Sequence, residues 1–199
     1  MSVIAIDVAI LPPEPVRQLA VALNSRLSPE RSKGLRLDAD HLPHITLTQQ
    51  FVPSDRLEAV LDRISTTVRS IGALTLYSPG ARTSGDTVWL GIEPALPLLA
   101  LHRLLMDALA EFEQGKGGRP AAFVDGDARP ADVRWVNNYR ANAAFDSYRP
   151  HITLGHGDAP QVDPLRFEAT EVAACHLGRF CTCRRVLRSW ALSGEARSS

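Results

Sequence analysis

One pentapeptide occurs twice in this chain and constrains its fold more than any other feature. Residues 43–47 and residues 150–154 both read Pro-His-Ile-Thr-Leu. Five identical residues that recur in an ordinary chain of 199 residues are improbable by chance. The repeat therefore indicates an internal duplication with one copy in each half of the chain, although the flanking sequences have diverged too far to align by eye.

Each copy has the two-residue periodicity of a β-strand. Positions in residues 44–52 alternate between two faces: His44, Thr46 and Thr48 point one way, and Ile45, Leu47 and Gln49 point the other. Side chains two residues apart on a strand share a face. We therefore predict that each strand packs through its Ile and Leu and offers a His and a Thr to a common space. In the second copy these residues are His151 and Thr153.

Two histidines and two threonines around one point suit the hydrolysis of a phosphodiester without a metal. A base must take a proton from the attacking water, and an acid must give one to the departing alkoxide. Histidine does either near neutral pH. Threonine hydroxyls can hold the phosphate oxygens on which charge builds. The repeat thus predicts His44 and His151 as a catalytic pair.

The charge balance limits the class of substrate. The chain carries 22 basic and 22 acidic residues, so its formal net charge is zero. A protein that holds long nucleic acid through many phosphate contacts usually has a basic surplus. We expect a small or terminal phosphate substrate and no long duplex.

Three cysteines in a chain of this length do not resemble a disulfide scaffold, and a reduced, cytoplasmic setting is expected. The apolar N-terminus has no basic leading segment and is interrupted by Asp7, which argues against a signal peptide. No run approaches the ~20 apolar residues of a membrane helix. We expect a monomer with no membrane partner.

Periodicity and turn signals predict a mixed order of elements. The predicted strands cover 3–11, 44–52, 73–78, 86–92, 151–156, 165–178 and 183–193, and the predicted helices cover 14–27, 55–70 and 96–113. Residues 79–85 are predicted to be a turn and 114–132 a loop, whereas 132–146 stays open between a short helix and irregular structure. This order predicts an α+β fold in which two antiparallel-rich sheets flanked by helices face each other across a cleft. We treat residues 1–199 as one domain of two lobes, with a frayed tail at 195–199.

At the two motifs, 44–47 and 151–154, the chain resembles the 2H phosphoesterase superfamily, whose members share paired H-x-[ST]-x motifs with apolar x. Members include the bacterial RNA 2′,3′-cyclic phosphodiesterases historically called 2′-5′ RNA ligases, and the plant-type cyclic phosphodiesterases. The resemblance spans almost the whole chain. It implies two α+β lobes related by a pseudo-twofold axis, and no metal or cofactor. It also implies a catalytic set of His44, Thr46, His151 and Thr153.

The resemblance also implies roles and a substrate. In the cyclic phosphodiesterase branch the first histidine is usually the acid and the second the base, so His44 is expected to protonate the leaving ribose oxygen and His151 to activate water. The expected reaction opens a 2′,3′-cyclic phosphate of a nucleotide or RNA end to a 2′-phosphate. Hydrolysis or ligation of another phosphodiester, such as a 2′-5′ linkage or an ADP-ribose cyclic phosphate, stays open. So does a nucleotide- or RNA-end-binding module without catalysis, although the intact motif pair argues against lost catalysis.

Residues that contact the substrate are harder to identify from the sequence. Many bacterial members have an aromatic residue at the sixth position after the first motif histidine, where this chain has Gln50, and an aromatic residue follows at Phe51. The candidates for stacking on a base are therefore Phe51, Trp135, Tyr139 and Tyr148. For each of them a core position is the competing interpretation. Arg149 is a candidate phosphate clamp, with a solvated arginine as the alternative.

The remaining histidines and the cysteines are assigned structural roles. His156 falls on the opposite face of a regular strand from His151 unless Gly155 bulges it round, so a structural or rim position is expected. His41 is expected on a loop surface. The Cys181-x-Cys183 spacing is tighter than structural zinc pairs prefer, and Cys175 also lies on a predicted strand. We expect these cysteines to be small buried residues and not metal ligands.

Overall fold

The structure is a computed structural model that describes residues 2–115 and 118–194. The predicted frayed tail at 195–199 lies outside the described residues. The strands are β1 Val3–Ile10, β2 Ile45–Pro53, β3 Leu74–Ser78, β4 Gly80–Ser84, β5 Thr87–Gly91, β6 His151–His156, β7 Leu165–Ala169, β8 Glu171–Leu177 and β9 Cys183–Ala191. The α-helices are α1 Glu14–Ser25, α2 Leu57–Val68, α3 Leu96–Ala108, α4 Pro130–Asn137 and α5 Tyr139–Asn142. Within the described ranges no helix is both long and apolar enough to cross a membrane.

The strands form antiparallel sheets that separate the two motifs. One sheet has the order β2-β1-β8-β9 and carries the first motif, and another has the order β4-β5-β6 and carries the second. Strands β3 and β7 form a further pair. The predicted α+β class, with antiparallel sheets flanked by helices, is confirmed. The Ile and Leu of both pentapeptides are buried together in the largest apolar cluster.

Several predicted boundaries are wrong for identifiable reasons. The predicted turn at 79–85 contains β4, an edge strand whose exposed positions tolerate a turn-like composition. The predicted strand at 165–178 is two strands, because the chain leaves β3 at Ala169 and pairs with β1 from Val172 onward. The third helix, predicted over 96–113, ends at Ala108, and a short 3₁₀ turn at Ala110–Phe112 follows it. The open segment at 132–146 contains α4 from Asp132 onward and all of α5.

Both motif strands carry a β-bulge at the same residue of the repeat. In the first copy Val8 pairs with Thr48 and Ala9 with Thr46, so Leu47 is the extra residue. In the second copy the neighbours of Leu154 are paired and Leu154 itself is extra. A bulge inserts one residue and shifts the alternation of faces beyond it. The equivalent position of the two bulges is the structural counterpart of the repeated sequence.

The first bulge changes which side chains reach the same face as His44. Thr46 and Gln49 lie on one face, since both donate hydrogen bonds to the same carboxylate oxygen of Asp7. Thr48 is fully buried and pairs with the core residue Val8. The prediction that Thr48 shares the face of His44 and that Gln49 opposes it is therefore wrong.

A buried polar side chain from a helix holds each bulge. Asn24 on α1 donates from Nδ2 to the carbonyl oxygen of Leu154 at 2.6 Å and accepts from the backbone N–H of Leu37 at 3.0 Å. His102 on α3 donates from Nδ1 to the carbonyl oxygen of Leu47 at 2.6 Å and accepts at Nε2 from the backbone N–H of Phe145 at 2.8 Å. Each helix thus satisfies the displaced carbonyl of the motif strand against which it packs.

We predict that Asn24→Ala lowers the free energy of unfolding by about 2 kcal/mol or more, because it leaves a buried carbonyl and a buried N–H without partners. Urea denaturation monitored by circular dichroism measures the change. Ser25→Ala, at the exposed next position of the same helix, is the matched control and should stay within about 0.5 kcal/mol of the wild type. Equal stability of the two variants would contradict the bulge-holding role of Asn24.

Candidate active site

The two motif histidines have the same hydrogen-bonding arrangement. Nδ1 of His44 donates to the carbonyl oxygen of Leu42 at 2.7 Å, and Nδ1 of His151 donates to the carbonyl oxygen of Arg149 at 2.7 Å. Each acceptor lies two residues before its histidine. Because Nδ1 keeps its hydrogen, Nε2 is the nitrogen of each ring that can exchange a proton with a substrate.

A cleft of about 490 Å³ brings the two motifs together. The four residues predicted as the catalytic set all line it: His44, Thr46, His151 and Thr153. Further polar lining comes from Gln49, Thr87, Arg129, Arg149 and His156. Aromatic lining comes from Trp89, Trp135, Tyr139, Tyr148 and Phe180. The cleft therefore combines two proton carriers, several hydrogen-bonding groups and large flat rings.

A buried carboxyl group lies beside Nε2 of the first histidine. Asp7 has no exposed surface, and its Oδ2 lies 3.5 Å from Nε2 of His44. The same oxygen accepts hydrogen bonds of 2.7 Å from the Thr46 hydroxyl and 2.7 Å from the Gln49 amide. Burial raises the pKa of Asp7, and the nearby His44 and the two donors oppose that rise. Sequence reasoning missed this residue, whose signal is a single charge inside the apolar segment 3–11.

The second histidine has a different environment. The ring of His151 stacks on Trp89 with 4.2 Å between centroids and 17° between planes. Burial lowers the pKa of His151 to about 4, assisted by His44 and opposed by the hydrogen bond to Arg149. Asp7 pairs with Gln49, and the equivalent pair in the second copy is Thr87 with His156. The position that holds the carboxyl group of Asp7 in the first copy thus holds the hydroxyl group of Thr87 in the second copy.

The side chain of His156 belongs to the cleft. The second bulge and Gly155, with φ of +146°, bring it to the same side as Thr153, so it lines the cleft. This is the bulged arrangement that the sequence left as the alternative. His41 lies outside the cleft lining and pairs with Asp38 on the loop before the first motif, as expected.

Two of the predicted substrate contacts are aromatic rings that donate hydrogen bonds to residues of β2, the strand of the first motif. Trp135 is 46% exposed, and its indole N–H donates to the amide oxygen of Gln49 at 2.9 Å. The hydroxyl of Tyr148 donates to the backbone carbonyl of Thr46 at 2.8 Å, and its ring stacks on His102 with 3.9 Å between centroids. Tyr148 therefore connects the approach to the second motif with the first motif.

The remaining predicted contacts divide between the cleft and the core. Tyr139 is buried at the cleft wall with its ring edge against Trp135. Arg149 is exposed and lines the cleft, with one guanidinium nitrogen on backbone carbonyls. Phe51 is only 1% exposed and lies outside the cleft lining, because it packs edge-on against Phe123 in a separate apolar cluster. The expectation that Phe51 contacts the substrate is therefore wrong.

Comparison with known proteins relates most of the chain to one family. A model described as the 2′-5′ RNA ligase superfamily matches residues 11–182. The crystal structure of E. coli LigT in apo form is 21% identical, with a TM-score of 0.62 over 97% of this chain and 99% of that chain. Its complex with 3′-AMP is 21% identical, with a TM-score of 0.63 over 96% and 99%. TT0787 of Thermus thermophilus is 17% identical, with a TM-score of 0.58 over 97% and 100%. None of the curated proteins compared matches the chain.

We predict that the imidazole of His151 titrates with an inflection near pH 4, because burial disfavours its charged form. An NMR titration of the histidine ring protons measures it, with His151→Gln identifying the signal. Trp89→Ala exposes the ring and should move the inflection toward the ordinary value of 6.5. An inflection at or above 6.5 in the wild type would contradict the assignment.

Proposed function

The chain belongs to the 2′-5′ RNA ligase superfamily, and we propose that it is a phosphodiesterase that opens a cyclic nucleotide phosphate without a metal. The best candidate reaction converts a 2′,3′-cyclic phosphate to a 2′-phosphate. One observation carries the proposal: two histidines in unlike electrostatic environments line one cleft. Acid–base catalysis of a single step needs such a pair, with one ring protonated and the other neutral.

His151 is the proposed base. Its lowered pKa keeps the ring neutral at pH 7, and the hydrogen bond from Nδ1 to Arg149 leaves the lone pair on Nε2. The stacking with Trp89 restricts rotation of the ring. Water attacks the phosphorus and gives its proton to this nitrogen as the new P–O bond forms.

His44 is the proposed acid. The carboxyl group of Asp7 lies 3.5 Å from Nε2 of the ring, so this nitrogen has an oxygen acceptor beside it. As the bond between phosphorus and the 3′ oxygen breaks, Nε2 of His44 gives its proton to that oxygen. The products are a 2′-phosphate and a free 3′ hydroxyl group, and the two histidines exchange protonation states.

The two threonines have different tasks in this scheme. The Thr46 hydroxyl donates to Asp7, so its role is to hold the carboxyl group in position beside His44. Thr153 lines the cleft next to His151, and we assign to it the contact with a non-bridging phosphate oxygen. Arg149 also lines the cleft, and we assign to it the positive charge that a phosphate requires.

The aromatic part of the cleft supports a nucleotide or RNA end as the substrate. Trp135 offers a large exposed face whose orientation is set by Gln49, so a base can stack on it with little loss of side-chain entropy. The related LigT has been crystallised with 3′-AMP and with ATP. A cleft of about 490 Å³ is within the range for small-molecule sites.

Nucleoside 2′,3′-cyclic phosphates offered to purified protein with a chelator present test the reaction. We expect turnover by the wild type and a loss of roughly 10²–10⁴-fold in both His44→Ala and His151→Ala. The control is His41→Ala, a histidine outside the cleft lining, which should leave the rate unchanged. Unimpaired turnover in either motif variant would refute the assignment, and binding without turnover by the wild type would favour a binding module.

We predict that Asp7→Asn lowers kcat/KM by about tenfold, equivalent to about 1.4 kcal/mol, because the carboxyl group that lies 3.5 Å from Nε2 of His44 and accepts from Thr46 and Gln49 is lost. The acidic limb of the pH profile near pH 4, set by His151, should stay in place. Burial raises the pKa of Asp7, so the neutral amide should not lower the free energy of unfolding at pH 7. An unchanged kcat/KM in Asp7→Asn would contradict this role.

A further inference from the structure

We propose that Asp7, His44 and Cys183 form a binding site for a thiophilic divalent cation such as Zn²⁺, and that an ion bound there inhibits the enzyme. The three side chains offer a carboxylate oxygen, an imidazole nitrogen and a sulfur atom, all within 4.8 Å of one another. These are the donor types that zinc takes in proteins. The inhibition rests on the proposed function, but the binding does not.

The four-stranded sheet brings the three residues together from distant parts of the chain. Asp7 lies on β1, His44 immediately precedes β2, and Cys183 begins β9. The backbone N–H of Leu42, two residues before His44, donates to the carbonyl oxygen of Cys183 at 2.9 Å. Pairing of the strands therefore places the donor atoms, so little ordering is needed when an ion binds.

An unsatisfied buried oxygen points to a missing ligand. Oδ1 of Asp7 is buried and has no hydrogen-bond partner among the described residues, whereas Oδ2 accepts from Thr46 and Gln49. A buried carboxylate oxygen without a donor is unfavourable unless it is protonated or meets a cation. A cation held by Asp7, His44 and Cys183 would compensate the charge of this buried carboxylate.

The distances between the donor atoms are slightly longer than those in an occupied zinc site. Bonds of ~2.0–2.3 Å in a tetrahedron place zinc ligands roughly 3.5 Å apart. The limit of 4.8 Å between these donor atoms therefore requires movements of about 1 Å at most, which side-chain rotation supplies. Of the three ligands, His44 also lines the cleft.

Occupation of this site would remove the proposed acid from catalysis. Nδ1 of His44 is bound to Leu42, so Nε2 is the nitrogen left for the metal, and it is also the nitrogen that gives the proton. Mg²⁺ prefers oxygen ligands and should not compete.

Cobalt(II) binding tests the site without measuring catalysis. Co²⁺ added to the wild type should produce a near-ultraviolet sulfur-to-cobalt absorption band that stoichiometric Zn²⁺ displaces. Cys183→Ser and Cys183→Ala should lose the band. Cys181→Ser, at the half-buried cysteine two residues earlier, is the matched control and should keep it. Loss of even an outer partner of a metal ligand costs roughly 10–100-fold in affinity, so loss of Cys183 should weaken Zn²⁺ binding at least as much.

The same proteins separate the metal site from the proposed activity. Zn²⁺ should inhibit cyclic phosphate turnover by the wild type and by Cys181→Ser, with recovery on chelation, and inhibit Cys183→Ser at least tenfold more weakly. Absence of the cobalt band in the wild type, or its retention in both Cys183 variants, would overturn the site. If the wild type shows the cobalt band and the Cys183 variants lose it, but the wild type turns over no cyclic phosphate, the metal site is supported and the proposed function is rejected.

Discussion

In each half of the molecule, a buried helix side chain donates a hydrogen bond to the carbonyl oxygen of a bulged leucine. Asn24 does this for Leu154 and His102 does it for Leu47. A bulge displaces a carbonyl from the strand ladder, and an unpaired carbonyl in the core would cost about 1–3 kcal/mol. The two hydrogen bonds offset this cost in the bulged strands. They also hold α1 and α3 against the motif strands. Burial lowers the pKa of His102, which favours the neutral ring that is required for Nε2 to accept the hydrogen bond from Phe145.

The bulges determine which residues meet in the cleft. If each motif histidine is counted as the first residue, a regular strand would present the first, third and fifth residues to the cleft. With the extra leucine, the first, third and sixth residues share the cleft instead, which brings Gln49 and His156 into it. Gln49 then links Asp7 to Trp135. The carboxyl group beside His44 and the ring on which we propose that a nucleobase stacks therefore belong to one chain of hydrogen bonds. A substrate that stacks on Trp135 thus contacts the network that holds the proposed acid.

Similar backbones carry unlike side chains, and this difference separates the two histidines. The sheet neighbour that is Asp7 in the first copy is Thr87 in the second, and Ala9 in the first corresponds to Trp89 in the second. A carboxyl group lies 3.5 Å from Nε2 of His44, whereas an indole ring stacks on His151, whose pKa is lowered by burial. A duplicated motif by itself would be symmetric and would not define an acid and a base. The direction of catalysis that we propose comes from these two sheet neighbours, which lie outside the motifs.

The repeat and its periodicity were sufficient to predict the α+β class, the antiparallel sheets and the placement of His44, Thr46, His151 and Thr153 around one cleft, because strand alternation is a local property of the chain. Trp135, Tyr139, Tyr148 and Arg149 also line the cleft, whereas Phe51 does not, because the segment after α3 covers it. The bulge at Leu47 and the roles of Asp7 and Trp89 could not be predicted, since each depends on which residue lies opposite on a neighbouring strand, and the second bulge could be named only as an alternative. Register is decided by the packing of whole sheets and helices. The sequence alone therefore determined which chemical groups are present and which local faces they share, and the tertiary structure decided their electrostatic partners.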